Sequence, residues 1–161
     1  MAPAGLELDD LDRRIIAELQ EDGRRPFREI ARQAGVSERT IRARVKRMQD
    51  ARVLRILAFA DPFQLGHQVL AFALLRVDAG AHDRIVETLS TWREASYVSS
   101  LMGRWDLYVQ LVCPDNERLW DLVNHRIRGL DGVLETETTI EMRVHRFTYA
   151  YPLPGRAAGA P

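Results

Sequence analysis

The chain has 161 residues, a length typical of one large domain or two small ones, which excludes a multidomain enzyme. Hydrophobic residues make up 46% and charged residues 29%, so a packed core is expected and extensive disorder is excluded. The 23 basic and 23 acidic residues cancel, which excludes a uniformly basic nucleic-acid coat but allows a local asymmetry.

Three further features predict a soluble cytoplasmic protein. A single cysteine, Cys113, excludes an intrachain disulfide framework and a cysteine-based zinc site, and it is typical of a reducing compartment. The longest apolar run, Val69 to Leu75, is too short to span a bilayer, so no membrane partner is expected. The first five residues lack the basic and apolar pattern of a signal peptide.

Basic residues are concentrated between Gly23 and Ile56, a segment that contains eleven basic residues and only three acidic ones. Such a block inside a neutral chain favours a polyanionic partner. The alternative is a solvated helical surface with i,i+4 ion pairs, but so few acids cannot pair most of these arginines. We therefore predict that this region binds nucleic acid.

The first sixty residues show the pattern of three helices. The first begins at Asp9 or Asp10 and ends near residue 22, before Gly23. A second starts near Pro26, and Ser37 caps a third that ends near residue 49. Two short helices joined by a tight turn, the second of them basic, form a helix-turn-helix unit.

The third helix has an apolar side and a basic side. At about 100° per residue, Ile41, Arg44, Val45 and Met48 share one side. The opposite side is basic around Ala43, whose small side chain lets the helix approach the floor of the major groove. Arginines in the N-terminal half read guanine edges, and the remaining cations hold phosphates. The predicted DNA-binding residues are Ser37, Arg39, Thr40, Arg42, Ala43, Lys46 and Arg47, with Arg24 and Arg25.

The remaining residues predict a second domain. A β-prone segment at 53–60 is interpreted as a strand and linker. Strands are then expected at 68–77, 97–102, 105–113 and 134–144, with helices at 82–92 and 116–128. The order β-α-β-β-α-β defines a ferredoxin-like domain, so the fold class is α+β with an N-terminal, winged-helix-like helix-turn-helix. The predicted divisions are a flexible N-terminus at 1–7, the DNA-binding domain at 8–52, a strand and linker at 53–66, the ferredoxin-like domain at 67–150 and a flexible tail at 151–161.

The first strand of this domain is apolar on both faces. Leu70, Phe72 and Leu74 alternate with Ala71 and Ala73, which are also apolar. Because two helices cover only one face of such a sheet, the other face is expected to pack on a second copy. A monomeric sandwich with one apolar face is the alternative.

The combination resembles the leucine-responsive/asparagine-regulator (Lrp/AsnC) family of prokaryotic transcription factors. The resemblance covers about residues 8–150. It implies a DNA-binding regulator that forms dimers through its C-terminal sheets and assembles further into tetramers or octamers, associated with the nucleoid. The residues that carry it are Leu8-Asp9-Asp10-Leu11-Asp12, Asp22-Gly23-Arg24, Ile30-Ala31, Val36-Ser37, Thr40-Ile41, Arg44-Val45, Met48, Asp61-Pro62, Leu65-Gly66 and Gly103-Arg104-Trp105-Asp106.

The resemblance also implies a small effector, commonly an amino acid, at the turn that contains Gly103 and Asp106. A glycine lets the backbone approach the carboxylate of such a ligand, and an aspartate provides a charge for its ammonium group. The alternative is that these residues only form a hairpin turn. The predicted effector-binding residues are Gly103, Arg104, Trp105, Asp106, Thr136 and Thr138, and no cofactor or metal is expected.

Two residues depart from the family pattern. Trp105 stands where the family usually has tyrosine, so it lacks a hydroxyl that an effector could use. Arg52 stands where glycine is common after the third helix, which predicts either a left-handed backbone or a shifted helix end.

Two other functions remain open on the same scaffold. One is a tetrapyrrole-decarboxylating enzyme, although the four histidines show no metal-ligand spacing. The other is an architectural protein that binds DNA without any effector. The regulator is the leading hypothesis, and no catalytic residue is assigned.

Overall fold

The computed structural model describes residues 6–148 and residue 151, which fall into two compact units. The first contains the described residues up to Phe59 together with Phe147, Thr148 and Tyr151. The second is Ala60–Arg146. The flexible ends predicted at 1–7 and 151–161 lie outside the described residues, apart from residues 6, 7 and 151.

Three helices form the first unit: α1 (Asp10–Glu21), α2 (Phe27–Ala34) and α3 (Glu38–Asp50). Asp9 caps α1, because its side chain accepts a hydrogen bond from the Asp12 N–H while Asp12 accepts one from the Asp9 N–H. Ser37 caps α3 by accepting from the Thr40 N–H at 3.1 Å. These local signals explain why the helix-turn-helix could be predicted. The buried core consists of Ile15, Ile16, Leu19, Ile30, Ala31, Ile41, Val45, Met48 and Leu54.

Arg52 follows α3 with φ of +57°, so the departure from glycine is accommodated by a left-handed backbone. The prediction of a strand at 53–60 is wrong, because these residues form no strand in the structure. Ile56, Leu57 and Phe59 are exposed instead. Their β propensity reflects apolar and branched side chains, but a strand also needs a neighbouring strand for its backbone hydrogen bonds.

The described residues that follow the second unit belong to the first unit. The ring of Phe147 stacks on that of Phe59, with centroids 4.5 Å apart. The Gln20 side-chain amide donates to the Tyr151 carbonyl oxygen at 3.1 Å. The second unit therefore ends at Arg146 rather than at the predicted residue 150.

The second unit has the predicted ferredoxin-like order, which confirms the fold class. All strand neighbours are antiparallel, in the order β2 (Ala95–Ser100), β3 (Leu107–Cys113), β1 (Val69–Val77) and β4 (Val133–Ile140), so β1 and β3 are central. The helix predicted at 116–128 is α-helical only at its start and continues as a π-helical turn. The elements are β1 (Val69–Val77), α4 (His82–Ser90), β2 (Ala95–Ser100), β3 (Leu107–Cys113), α5 (Asn116–Asp121), the π-turn (Leu122–Ile127) and β4 (Val133–Ile140).

Alternate residues of the central strands form the core under the helices. Leu75, Val109 and Leu111 are fully buried there with Ile85 of α4 and Leu122 of the π-turn. The last strand ends at Ile140, four residues before the predicted end at 144. The Glu141 N–H still donates to the Leu70 carbonyl of β1 at 2.7 Å, but residues 142–144 have no ladder partner among the described residues. The alternation that suggested a longer strand continues beyond the sheet edge.

The opposite sheet face has no covering element in the second unit. Phe72 stacks on Tyr108 with centroids 5.5 Å apart, and Tyr97 meets Tyr108 edge-on at 5.9 Å. Burial raises the pKa of the Tyr108 hydroxyl. Leu70, Phe72 and Leu74 of β1 are apolar on this face, as the sequence predicted. Gln110, Thr139 and Glu137 of the neighbouring strands lie on the same face.

Candidate DNA-binding surface and effector site

The exposed side of α3 forms an open depression of about 440 Å³. Ala43 is exposed at its centre, so no large side chain blocks approach to the helix. The depression brings together five of the residues predicted to bind DNA, and it adds Arg44, which the sequence analysis had placed on the inner side. The lining residues are Ser37, Arg39, Thr40, Ala43, Arg44 and Arg47.

Arg39 is exposed in the first turn of α3 and has no ion pair among the described residues. Its full charge is therefore available to a ligand. It lies at the N-terminal end of the helix, which in helix-turn-helix proteins reaches the base edges. The structure thus makes Arg39 the best placed of the predicted base-reading residues.

The other predicted cations are engaged to different degrees. Arg42 donates to Glu38 at 2.7 Å, with its guanidinium 5.4 Å from the Phe27 ring centre, and Lys46 pairs with Asp50 at 2.8 Å. These pairs are exposed, and such pairs contribute only about 0–1 kcal/mol, so a phosphate can replace the acid.

Arg25 differs from these cations because its side chain is mostly buried. It contacts both Glu18 and Glu21 of α1, and these bonds raise the pKa of its guanidinium. Its charge is already compensated twice within the unit. Arg24, by contrast, is exposed, and among the described residues its only partner is the Asp22 carboxylate, which accepts from the Arg24 backbone N–H at 2.8 Å.

A buried carboxylate lies behind α3. Asp12 of α1 is fully buried, and it is the one buried charged residue among the described residues. Its Oδ1 accepts from Arg44 at 3.2 Å and its Oδ2 accepts from Arg47. Asp9 also accepts from Arg44, and this bond holds the pKa of the Asp9 carboxyl at about 2.

The contact between Asp12 and α3 was not predicted from the sequence. The available signal was the pair of acids three residues apart in Asp9-Asp10-Leu11-Asp12, which marks a capping box. That signal places Asp12 in the first turn of α1. It does not show that the carboxylate faces α3, because the contact spans 32 to 35 residues of sequence.

The predicted effector turn lies between β2 and β3. The Asp106 N–H donates to the Leu75 carbonyl at 2.9 Å, and its Oδ2 accepts from the Val77 N–H at 2.8 Å. The Arg104 guanidinium lies over the Trp105 ring, 5.1 Å from its centre. Gly103 is exposed with φ of +153°. Among the described residues, only Oδ2 of the Asp106 carboxylate has a hydrogen-bond partner. The Arg104 guanidinium also pairs with Glu135 at 3.7 Å.

The two predicted threonines have different surroundings. Thr136 pairs with Leu75, whose carbonyl accepts the Asp106 N–H, so it lies beside the turn. Its hydroxyl is buried without a hydrogen-bond partner among the described residues, a situation that is uncommon in proteins. Thr138 lies two residues further along β4 and faces another groove.

That groove, of about 420 Å³, lies between α5, the π-turn and β4. Trp120 is 60% exposed on its rim, and Arg128 there donates to the neutral Asn124 side chain at 2.8 Å. Sequence reasoning did not find it, because its walls come from separate elements. The lining residues are Asn116, Leu119, Trp120, Val123, Asn124, Arg128, Thr138 and Ile140.

Other chemistry has little support in the described residues. They contain no cluster of three or more His, Cys, Asp or Glu that could bind a metal ion. Cys113 is buried, and burial raises the pKa of its thiol, which disfavours the reactive thiolate. None of the described helices combines the length and apolar character that crossing a membrane requires.

Comparison with known proteins covers both units. Residues 8–49 match the AsnC-type helix-turn-helix domain, and residues 70–151 match the Lrp/AsnC ligand-binding domain. The HTH-type transcriptional regulator FL11 of Pyrococcus furiosus is 34% identical over 147 residues, which is 91% of this chain and 97% of that protein. The regulatory protein AsnC of Haemophilus influenzae is 25% identical over 138 residues, or 84% of this chain and 92% of the relative.

Solved structures of other regulators have a similar fold. AsnC of Escherichia coli superposes with a TM-score of 0.82 at 26% identity, covering 91% of this chain and all of that one. A transcriptional regulator of Neisseria meningitidis, in complex with L-Met, shares the fold with a TM-score of 0.83 at 22% identity, covering 92% and 98% of the two chains.

The helix-turn-helix and the ferredoxin-like unit together define a DNA-binding transcriptional regulator with a ligand-binding domain. The chain belongs to the Lrp/AsnC family.

Proposed function

We propose that this chain binds specific duplex sites through the depression on α3, and that an amino acid bound in the second unit modulates its DNA binding or assembly. The observation that carries the first part is the meeting of Arg39, Thr40 and Arg47 around exposed Ala43. Arginine and threonine supply the hydrogen bonds and methyl contacts that read base edges, and a small central residue permits close approach.

The DNA-binding proposal is tested by fluorescence anisotropy with DNA from upstream of the chain's own gene, at two salt concentrations. Binding should be tight and should weaken steeply as salt rises, because phosphate contacts release counterions. Ala43→Leu should abolish specific binding while the protein stays folded, since residue 43 is exposed. The matched control is Ala17→Leu, the same substitution at an exposed position on a different helix, α1. Equal affinity of Ala43→Leu and wild-type protein would contradict the assignment.

An amino acid is the effector class that the turn at Gly103 to Asp106 accommodates best. Asp106 offers a carboxylate oxygen to an ammonium group, and the buried Thr136 hydroxyl offers an unused donor to a carboxylate. The L-Met complex of the Neisseria regulator supports this class at the level of the fold. Calorimetric titration with single amino acids tests it, and an absence of heat with all twenty would reject it.

The uncovered sheet face supports a homodimer as the basic assembly, with tetramers or octamers built from it. Phe72, Tyr97 and Tyr108 would pack on the same face of a second copy, as in an isologous interface. Light scattering after size-exclusion chromatography should give a dimer or a multiple of it. Phe72→Glu should shift this mass to the monomer, and an unchanged mass would reject this face as the interface.

We also propose that the chain acts on DNA without catalysing a reaction, as a nucleoid-associated regulator. The match to a family of transcriptional regulators supports the view that the chain is not an enzyme. Titration with a tetrapyrrole should produce no new Soret absorption, and a saturable band would instead favour the decarboxylase alternative.

A further inference from the structure

The contacts of Asp12 raise a question that the DNA-binding surface alone does not answer. Arg44 and Arg47 line the depression on α3, yet both donate to a carboxylate that is fully buried behind them. Asp12 and Asp9 together offset the two positive charges. These arginines therefore differ from Arg39, which has no acidic partner in the described structure.

The geometry of Arg47 shows what this contact does. Its side chain is 46% exposed, and one guanidinium nitrogen, Nη2, is bound to Asp12. A guanidinium carries five N–H donors in a rigid plane, so fixing one nitrogen fixes the direction of the others. Arg47 also lines the depression, and its remaining donors have no other hydrogen-bond partner among the described residues.

We propose that Asp12 is a positioning residue for DNA binding, which acts through Arg47 by holding its guanidinium in the orientation that a phosphate or base edge accepts. This inference rests on the proposed function of the α3 surface. An exposed arginine otherwise loses considerable rotamer freedom on binding, and prior fixation removes that entropic cost. The same contacts join α1 to α3, with Arg44 as the second anchor.

If Asp12 acted only through its charge, the change in DNA affinity on its removal would have the opposite sign. Removing an acid near a polyanion site raises the net charge by one and should tighten binding to any duplex. Positioning predicts that Asp12→Asn weakens specific binding despite the added positive charge, since the amide cannot hold the guanidinium as a carboxylate does. The two accounts therefore differ in the direction of the change.

The experiment uses the full chain and a duplex that the wild-type protein enriches from a random pool, with a scrambled duplex for comparison. Asp12→Asn should weaken specific binding by about tenfold or more, the range for a broken charge-assisted contact. A loss confined to the specific duplex assigns the held guanidinium to a base edge, and an equal loss on the scrambled duplex assigns it to a phosphate. Glu38→Gln, which frees the exposed Arg42, is the matched acid-to-amide control and should not weaken binding.

A double-mutant cycle separates positioning from general damage to the fold. In an Arg47→Ala background, Asp12→Asn should change specific affinity by less than about threefold, because its target is gone. A full loss in that background, or wild-type affinity of Asp12→Asn itself, would overturn the inference. Circular dichroism at the assay temperature shows whether each variant is folded.

Arg47→Lys provides a second test if Asp12→Asn does not fold. It keeps the charge, so phosphate neutralisation alone predicts no change, whereas a fixed guanidinium predicts a loss of about fivefold or more. Wild-type affinity of Arg47→Lys would overturn the positioning role. If the wild-type chain enriches no duplex, the proposed function fails together with this inference, whereas enrichment with unchanged variants contradicts the inference alone.

Discussion

Asp106 is bonded to Val77 rather than projecting freely from its turn. Its Oδ2 accepts the Val77 N–H at 2.8 Å, next to the bulge between Arg76 and Val77 where the register of β1 with β4 shifts. The residue predicted to bind the effector thus also satisfies a backbone donor of β1. An effector bound to Asp106, as proposed above, would therefore be linked through a single carboxylate to the geometry at the end of β1.

The substitution Asp106→Ala should remove both the hydrogen bond to Val77 and the proposed contact with the effector. The nearly buried Val77 N–H would lack a partner, so the free energy of unfolding should fall by about 1–3 kcal/mol in urea titrations. Calorimetric heat with an effector amino acid should disappear while DNA binding persists at a temperature where the protein is folded. Asp83→Ala removes an almost fully exposed carboxylate of the same unit and should change neither quantity. An unchanged effector titration in Asp106→Ala would exclude this site.

The tryptophans distinguish the two places where an effector could bind. Trp105 lies in the turn and Trp120 on the rim of the groove beside α5. We expect an effector amino acid to change the tryptophan emission of the wild-type protein and of Trp120→Phe. The emission of Trp105→Phe should not change when the effector is added. Trp92, which stacks under Arg126 at 4.0 Å, provides a constant background. The reverse pattern, with the response lost only in Trp120→Phe, would move the effector site to the groove.

Arg39 should be the cation on which sequence-specific binding depends most. Arg39→Ala should weaken specific binding by about 1–3 kcal/mol, the range for a lost base-edge contact. Arg25→Ala should leave the slope of affinity against salt unchanged, because Glu18 and Glu21 already compensate the Arg25 charge. Anisotropy titrations at several salt concentrations measure both effects. Equal losses in the two variants would show that only total charge matters.

Local signals explain what the sequence could predict. Ser37 caps α3 through contacts within three residues, and the turn chemistry before it is equally local. Alternation along β1 and β3 predicts the central strands of the sheet, since their residues are buried on one side and mostly partly exposed on the other.

Long-range contacts explain what the sequence could not predict. The placement of Arg44 followed from helical periodicity, which correctly turned it toward α1 but could not indicate a carboxylate there. Thr138 shares a strand and a face with Thr136, yet the packing of α5 assigns it to another groove. The segment at 53–60 has strand-like residues and no strand to pair with. Each case depends on which elements meet in space, and composition does not determine that.

Because the pKa of Asp9 is low, the stability of the first unit should depend on pH in the acid range. The hydrogen bond from Arg44 lowers the pKa of this carboxyl from 3.8 to about 2. A pKa that is lower in the folded state means that ionised Asp9 stabilises the fold above pH 4, and that this stabilisation is lost as the pH falls from about 4 to 2. NMR titration of the Asp9 side-chain carbon should give a midpoint near 2 in the wild-type protein. Arg44→Gln removes the donor and should return the midpoint toward 3.8, and the same midpoint in both proteins would show that Arg44 does not bond Asp9 in solution.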